Sequence, residues 1–457
     1  MVRALYSLLM WLAQPLLRRK LARRAVAEPG YAVAVDERFG HYRVPADQGR
    51  VWIHAVSLGE TRAAAILLER LRARCPDLRL LLTNGTATGR AEGEKLLRPG
   101  DVMVWQPWDT PGAVARFLDH FRPRIGVLME TEIWPNLTAG CAARGVPLVL
   151  ANARLNPRSF VNALRLDWLA RPAYRALAAV WAQTEDDAAR LRALGAPVHG
   201  VFGNLKFDAT PDADQLQKGR AWRAALGRPV ILFASSREGE EALFLKEILA
   251  YTSVERSEFA INTEDPESIH KVQWLIVPRH PQRFDEVAAL MVQHGFQVSR
   301  RSTWDGAPGA APHAPAPQHL TGDAPAVEPP AGRPTVWLGD SLGEMALYYA
   351  MSDVALLGGS FAPLGGQNLI EAAACGCPVI LGPHTFNFTE AAELARASGA
   401  ARETADMAAA CRDAVALAAD AALQREMADA AGAFSTAHRG AADRTAMAIQ
   451  TVMQTSD

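Results

Sequence analysis

The chain repeats one hydrophobic rhythm twice. Short apolar runs at 51–56, 78–83, 125–129 and 146–150 are separated by helical stretches such as 61–73. Such runs read as buried strands, and their alternation with helical segments predicts βαβ units around a parallel sheet. After a break at 208–217 the rhythm restarts, with strands expected at 230–234, 274–277, 335–338, 354–357 and 379–381. The pattern predicts an α/β protein with two Rossmann-like domains in tandem, its ligands bound in the cleft between them.

Two segments break the rhythm. Residues 252–270 are polar and acid-rich, and 304–334 consist mainly of Ala, Pro, Gly and His, with eight prolines between 308 and 334. Little apolar surface is available there to offset the cost of ordering, so a flexible surface insertion is expected. The tail from 405 to 453 is Ala-rich and reads as helical.

Composition narrows the class. At 457 residues, 49% hydrophobic and 21% charged, the chain is globular and large enough for two or three domains. Its 48 Lys and Arg against 49 Asp and Glu leave a net charge of -1, without the basic excess expected for a nucleic-acid partner. Five cysteines and no CxxC pair indicate neither a disulfide framework nor a zinc site.

The charge is uneven at the start. Arg3, Arg18, Arg19, Lys20, Arg23 and Arg24 all precede the first acid, Glu28, and a leucine-rich run with Tyr6 and Trp11 lies between them. That run falls short of the roughly 20 residues a spanning helix needs. Its larger basic cluster follows the apolar stretch, opposite to a signal peptide. A helix lying in the headgroup layer of an anionic leaflet is expected, and an amphipathic helix packed on its own domain is the alternative.

Several motifs fall where strands give way to helices. In 54–60, Ser57 and Glu60 have capping-box spacing; Glu60 serves either to satisfy backbone N–H groups or as a general base at a strand's carboxyl end. Glu130 and Glu132 follow the run at 125–129 beside Trp134, either facing a ligand or complementing the dipole of a helix begun by Pro135. Lys206 lies at the domain break, as a counter-charge or a plain linker residue. Farther on, Arg279 ends a strand where its planar fork suits a phosphate. The glycine-rich 358–366 leads into a helix bearing Asn368 and Glu371, and its N–H groups suit an anion. It lacks the GxGxxG and Gly-Lys-Ser/Thr signatures of nicotinamide and ATP sites.

Together these stretches resemble the 3-deoxy-D-manno-octulosonic acid (Kdo) transferases of lipopolysaccharide assembly. HAVSLGE, METEIWPN, NARL, GNLKFD, EGEE, VPRHPQRF, GDSLGE, GGSFAPLGGQN and GPHTFNF occur in that family's order and cover nearly all the chain except the insertions. The resemblance implies a GT-B glycosyltransferase, with two Rossmann-like domains facing a central cleft and an N-terminal membrane-associating helix on the cytoplasmic side of the inner membrane. It implies inverting transfer of Kdo from CMP-Kdo to the tetraacylated lipid A precursor, releasing CMP, with no metal or other cofactor. Glu60 would be the general base, and Glu130 and Lys206 would stabilise the transition state. Pro278, Arg279, Leu342, Gly343, Glu344, Asn368, Leu369, Ile370 and Glu371 would contact the nucleotide.

On this reading the helix occupies 1–27, the acceptor domain 28–207, a linker 208–225, the CMP-Kdo domain 226–435 and a final helix 436–457. The chain departs from the family's usual pattern at Gln367, where His is usual, at Leu369-Ile370, where Pro-Leu is usual, and at Ser235-Ser236-Arg237, where Ser-Thr-His is usual. The rival readings are another GT-B nucleotide-sugar enzyme and a catalytically inactive lipid-binding homologue.

Overall fold

The computed structural model describes residues 2–252, 272–306, 308 and 334–455. The chain divides into two compact units, one reaching to Asp208 and resuming at His438, the other spanning Ala209–Ala437.

The first unit is built on seven parallel strands: β1 (Val51–His54), β2 (Leu80–Asn84), β3 (Val102–Trp105), β4 (Ile125–Met129), β5 (Leu148–Ala153), β6 (Ala179–Ala182) and β7 (Val198–Val201). Their spatial order is β3-β2-β1-β4-β5-β6-β7. The chain works outward from β1 to one edge, then returns to pair β4 with β1, His54 beside Leu128. The crevice at that reversal is where open α/β sheets bind ligands.

Successive β1 residues serve opposite faces. Ile53 packs with Leu67, Leu71 and Val127 on one side, and Trp52 with Phe117, Phe121 and Leu150 on the other. With both faces covered, the central strands are continuous apolar runs, which makes them legible in the sequence. The connecting helices α3 (Leu58–Arg74), α4 (Ala87–Glu94) and α5 (Pro111–Phe121) start on Ser57, Thr86 and Thr110, whose hydroxyls accept main-chain N–H groups.

At the N-terminus two helices stand where one was expected, α1 (Val2–Leu12) and α2 (Gln14–Ala27). α1 packs on α6 (Pro135–Ala143) and on α8 (Asp167–Arg175), which follows α7 (Pro157–Arg165); α9 (Glu185–Ala193) completes this part. Leu5, Leu8, Leu9, Trp11, Leu12 and Leu16 remain exposed.

The second unit has its own parallel sheet: β8 (Val230–Ser236), β9 (Gln273–Pro278), β10 (Gln297–Arg300), β11 (Thr335–Leu338), β12 (Val354–Leu357), β13 (Val379–Leu381) and β14 (Ala401–Glu403). The order is β10-β11-β9-β8-β12-β13-β14, so the reversal lies at β8. Its helices are α10 (Ala213–Ala225), α11 (Glu240–Thr252), α12 (Phe284–Gln293), α13 (Met345–Ala350), α14 (Leu369–Ala374), α15 (Thr389–Ala397), α16 (Met407–Ala419) and α17 (Ala421–Ala437).

Five strands escape the sequence reading, for physical reasons. β7, β10 and β14 are edge or near-surface strands with polar or half-exposed residues, so backbone pairing rather than an apolar run defines them. β6 is Ala-Val-Trp-Ala after an Ala-rich stretch that reads as helix, and β3 is half-buried at the sheet edge.

Within the expected linker 208–225, α10 packs closely on α13: a Cβ at Gly219 would stand 2.6 Å from the Leu347 carbonyl. Trp304, the first residue of the expected proline-rich insertion, is instead core, buried edge-on against Trp222 and Trp337. The acid-rich stretch and most of the proline-rich one lie outside the described residues. The Ala-rich tail is three helices, and the last, α18 (Ala441–Thr455), returns to the first unit, where Ala446, Ile449 and Met453 join the core over α3. The Asp208 carboxylate starts it by accepting from the N–H groups of Gly440 and Ala442.

Candidate functional site

Glu60 and Glu130 stand at the carboxyl ends of β1 and β4, the two strands that flank the reversal of the first sheet. The Glu60 carboxylate accepts from the Val56 N–H at 2.9 Å and the Ser57 hydroxyl at 3.0 Å, while the Glu60 N–H donates to Ser57 Oγ. The capping box is therefore formed. The two readings of Glu60 are compatible, because the same bonds that cap α3 fix the carboxylate at the crevice. Burial pushes the Glu60 carboxyl from its ordinary 4.5 up to about 7; the nearby charges of Glu130 and Glu132 also raise it, while hydrogen bonds from Val56 and Ser57 oppose the shift.

Glu130 adopts the left-handed backbone conformation, φ 59°. For a residue with a Cβ this costs roughly 1–2 kcal/mol. It is held by β5 and the residue that follows it: its N–H donates to the Ala151 carbonyl, and its own carbonyl accepts from the Arg154 N–H. Strain of this kind concentrates where function requires a fixed side chain. The Glu130 carboxylate lies 3.6 Å from the Lys206 ammonium, both partly buried.

Lys206 lies on a short 3-10 turn, Leu205–Asp208, tied down from below. Asn152, itself at φ 53°, accepts from the Leu205 N–H, Asn204 accepts from the Lys206 N–H, and Gln183 donates to the Asn152 carbonyl. Asn152 and Gln183 were not singled out as site residues; only the NARL match pointed at the former. Glu132, also pushed up by burial, accepts from the Trp134 indole at 2.9 Å. His54 lies beneath, wholly buried, with burial lowering it to about 4, so it is a neutral partner of Thr83 rather than an acid or base near neutrality.

In the second unit the candidate nucleotide residues follow β9, β11 and β12, around the reversal strand β8. Pro278 ends β9, and Arg279 stands exposed beyond it, its N–H bonded to the Ser236 carbonyl. Leu342 is exposed and Gly343 is left-handed. Glu344 accepts from Arg301 at 2.8 Å and from Ser341 at 2.5 Å. Asn368 caps α14 by accepting from the Ile370 N–H. The side chains of Leu369 and Ile370 are core, so only their main chain can face a ligand. The buried Tyr349 phenol lies within electrostatic reach of both Glu371 and Arg279, which brings the ends of two motifs together.

Part of the glycine-rich loop is already engaged before the start of α14, where an anion is expected: the N–H groups of Gly359, Phe361 and Ala362 donate to the carboxylate of Glu240, at 2.7, 3.0 and 3.1 Å. Glu240 also accepts from the Arg237 N–H, and it is fully buried. Beside it Glu241 pairs with Arg283 at 2.7 Å and accepts from Ser236. Glu240 of EGEE organises this loop, a role that motif identity alone did not reveal.

Among curated proteins, a 3-deoxy-D-manno-octulosonic acid transferase of Bordetella pertussis is 45% identical over 98% of this chain and 99% of its own length. The chain belongs to the 3-deoxy-D-manno-octulosonic acid transferase family. A second Kdo transferase, from Haemophilus influenzae, is 33% identical over 85% of this chain and 84% of its own. The profile described as 3-Deoxy-D-manno-octulosonic-acid transferase (kdotransferase) matches residues 34–209.

Among solved structures, the fold is similar to a glycosyltransferase from Rickettsia africae, at TM-score 0.53 and 11% identity over 89% of this chain and 99% of that one. It is also similar to a UDP-GlcNAc 2-epimerase from Neisseria meningitidis, at TM-score 0.52 and 14% identity over 89% and 100%. These likenesses concern the fold: two Rossmann-like units of the GT-B class. Kdo transferase membership and GT-B architecture thus agree with the motif reading.

Proposed function

We propose that the protein transfers Kdo from CMP-Kdo to the tetraacylated lipid A precursor with inversion, at the cytoplasmic face of the inner membrane. The observation that carries the reading is the grouping of a partly buried Glu60, its carboxyl raised to about 7, with the Glu130–Lys206 pair at the reversal of one sheet, in a chain of the Kdo transferase family. Glu60 takes the proton from the acceptor hydroxyl as its oxygen bonds to the anomeric carbon, and the bond from that carbon to the CMP phosphate oxygen breaks. A pKa near working pH is what such a base requires. The Glu130 carboxylate favours the oxocarbenium-like carbon. Lys206 counters charge on the departing phosphate, a fixed charge that needs no reorganisation during reaction. The reaction as proposed uses no metal or other cofactor.

In the second unit, Arg279 and the main chain of Leu342, Gly343 and 368–370 would hold the nucleotide, with Pro278, Glu344 and Glu371 shaping its site. Binding of CMP, and not UDP, tests this half: CMP should raise the melting temperature and UDP should not.

The membrane half rests on α1. Its exposed leucines and Trp11, with the basic residues of α2, fit an anionic lipid surface, and α7, α8 and the residue joining them add exposed Val161, Leu164, Leu166 and Trp168 among arginines. No helix among the described residues is long and apolar enough to cross a membrane. Attachment in the interface plane is therefore the form proposed.

A further inference from the structure

The partly buried side of α1 carries Tyr6, Ser7 and Met10, while its leucines are exposed. Tyr6 and Ser7 are its half-buried polar residues, and both reach the start of α6. The Tyr6 phenol stands within electrostatic and hydrogen-bonding reach of the Asp109 carboxylate. The Ser7 hydroxyl lies 2.9 Å from Asn136 Oδ1 and 2.7 Å from the Arg3 carbonyl, and its one proton is shared between these two acceptors.

Asp109 is what starts α6. Trp134 precedes that helix and provides no side-chain cap. The buried Asp109 carboxylate accepts instead from the Asn136 N–H at 3.0 Å and the Leu137 N–H at 2.8 Å, and Asn136 donates back to the Asp109 carbonyl at 2.7 Å. Only Thr131, Glu132, Ile133 and Trp134 separate the start of α6 from Glu130, and the Trp134–Glu132 hydrogen bond shortens that connection further. So little slack remains that a shift of the first turn of α6 reaches Glu130. Glu130 in turn holds a left-handed backbone that its surroundings must enforce.

We propose that Tyr6 and Ser7 are positioning residues: docked on Asp109 and Asn136, they fix the start of α6 and thereby the loop that sets Glu130 against Lys206. The lipid-facing helix is thus a component of the site, and detaching it disorders the loop as well as the attachment. Burial and the Asp109 charge push the Tyr6 phenol far above its ordinary range, so it remains a donor at any working pH. The inference rests on the proposed Kdo transfer for its kinetic consequence but not for its structural one.

The test uses the full-length protein in non-ionic detergent micelles, where recruitment to a bilayer plays no part. Tyr6→Phe, Ser7→Ala and the double variant are compared with Ser7→Thr, which keeps the hydroxyl. Misplacement of a catalytic group by about 1 Å costs up to roughly a hundredfold. A partial loosening should therefore lower kcat about fivefold to twentyfold in the double variant, with both KM values within about twofold, while Ser7→Thr stays near wild type. Amide hydrogen exchange across 130–138 should quicken about fivefold or more, with the β4 and β2 amides unchanged. Unchanged kcat and exchange would overturn the proposal, as would a loss confined to acceptor KM or exchange rising uniformly through the unit. Should the wild type transfer no Kdo, the exchange measurement still decides the latch, and the failure belongs to the proposed reaction.

Discussion

Glu130 and Lys206 are placed 3.6 Å apart by unrelated parts of the chain, one from a left-handed residue after β4, the other from a 3-10 turn anchored on Asn152. Neither side chain would hold this position by local preference. Removing one partner of a partly buried pair leaves the other charge uncompensated. In Lys206→Met, the Glu130 charge then bears more strongly on Glu60, which it already raises. The expected result is a loss of kcat of about a hundredfold, as for other transition-state charge stabilisers. The alkaline shift of the remaining pH–rate midpoint should be about half a unit. Steady-state kinetics from pH 5.5 to 9 measure both.

The Glu60 carboxyl carries a pH signature of its own. The base proposed here acts deprotonated, so kcat/KM should rise tenfold per pH unit below about 7 and level off above it. Stability should run the other way. The folded pKa lies above the unfolded 4.5, so this group's contribution is fully present below about 4.5 and is lost as pH rises through about 7. That shift corresponds to about 3 kcal/mol. Glu60→Gln does not titrate, so its melting temperature should gain on wild type between pH 4.5 and 8, as paired thermal melts would record.

Glu240 receives three main-chain N–H groups from the irregular 359–362 segment and a fourth from Arg237. Glu240→Gln replaces one acceptor oxygen by a donor group facing those N–H groups. Losing hydrogen bonds to a charged acceptor costs about 2 kcal/mol, hence a fall in melting temperature of about 4–8 °C. CMP affinity should weaken about tenfold as the 358–366 loop loosens. Calorimetry with CMP tests the link between the buried acid and the nucleotide.

The exposed face of α1 predicts a separation of attachment from folding. Leu8, Leu9 and Leu12 are each more than half exposed. Changing all three to Ser should therefore move the melting temperature little. Binding to vesicles containing anionic lipid should weaken by at least about tenfold, since each buried leucine contributes about 1 kcal/mol or more. Co-sedimentation at fixed lipid concentration measures it.

Much of this was legible in the sequence because the central strands are buried on both faces and the helices begin at capping hydroxyls. The positions of Glu60, Glu130 and Lys206 followed from strand ends and from the motif order. What was hidden is tertiary. Nothing local distinguishes Asn152 as the support of Lys206, or Asp109 as the cap of a helix that starts 26 residues later in the sequence (135 less 109). The edge strands β10 and β14 were illegible because pairing, not patterning, makes them. The engagement of the glycine loop was hidden for a related reason: composition announces N–H groups without saying that a buried carboxylate takes those of Gly359, Phe361 and Ala362.

The central claim is tested most directly by following Kdo transfer to the tetraacylated lipid A precursor, with CMP-Kdo generated in the assay because it is short-lived, for wild type and Glu60→Gln. The account predicts product and CMP from the wild type. It predicts a rate lower by at least about a hundredfold from a variant that still folds and still binds CMP. Transfer by Glu60→Gln at the wild-type rate, or none by a wild type that binds CMP, would contradict it.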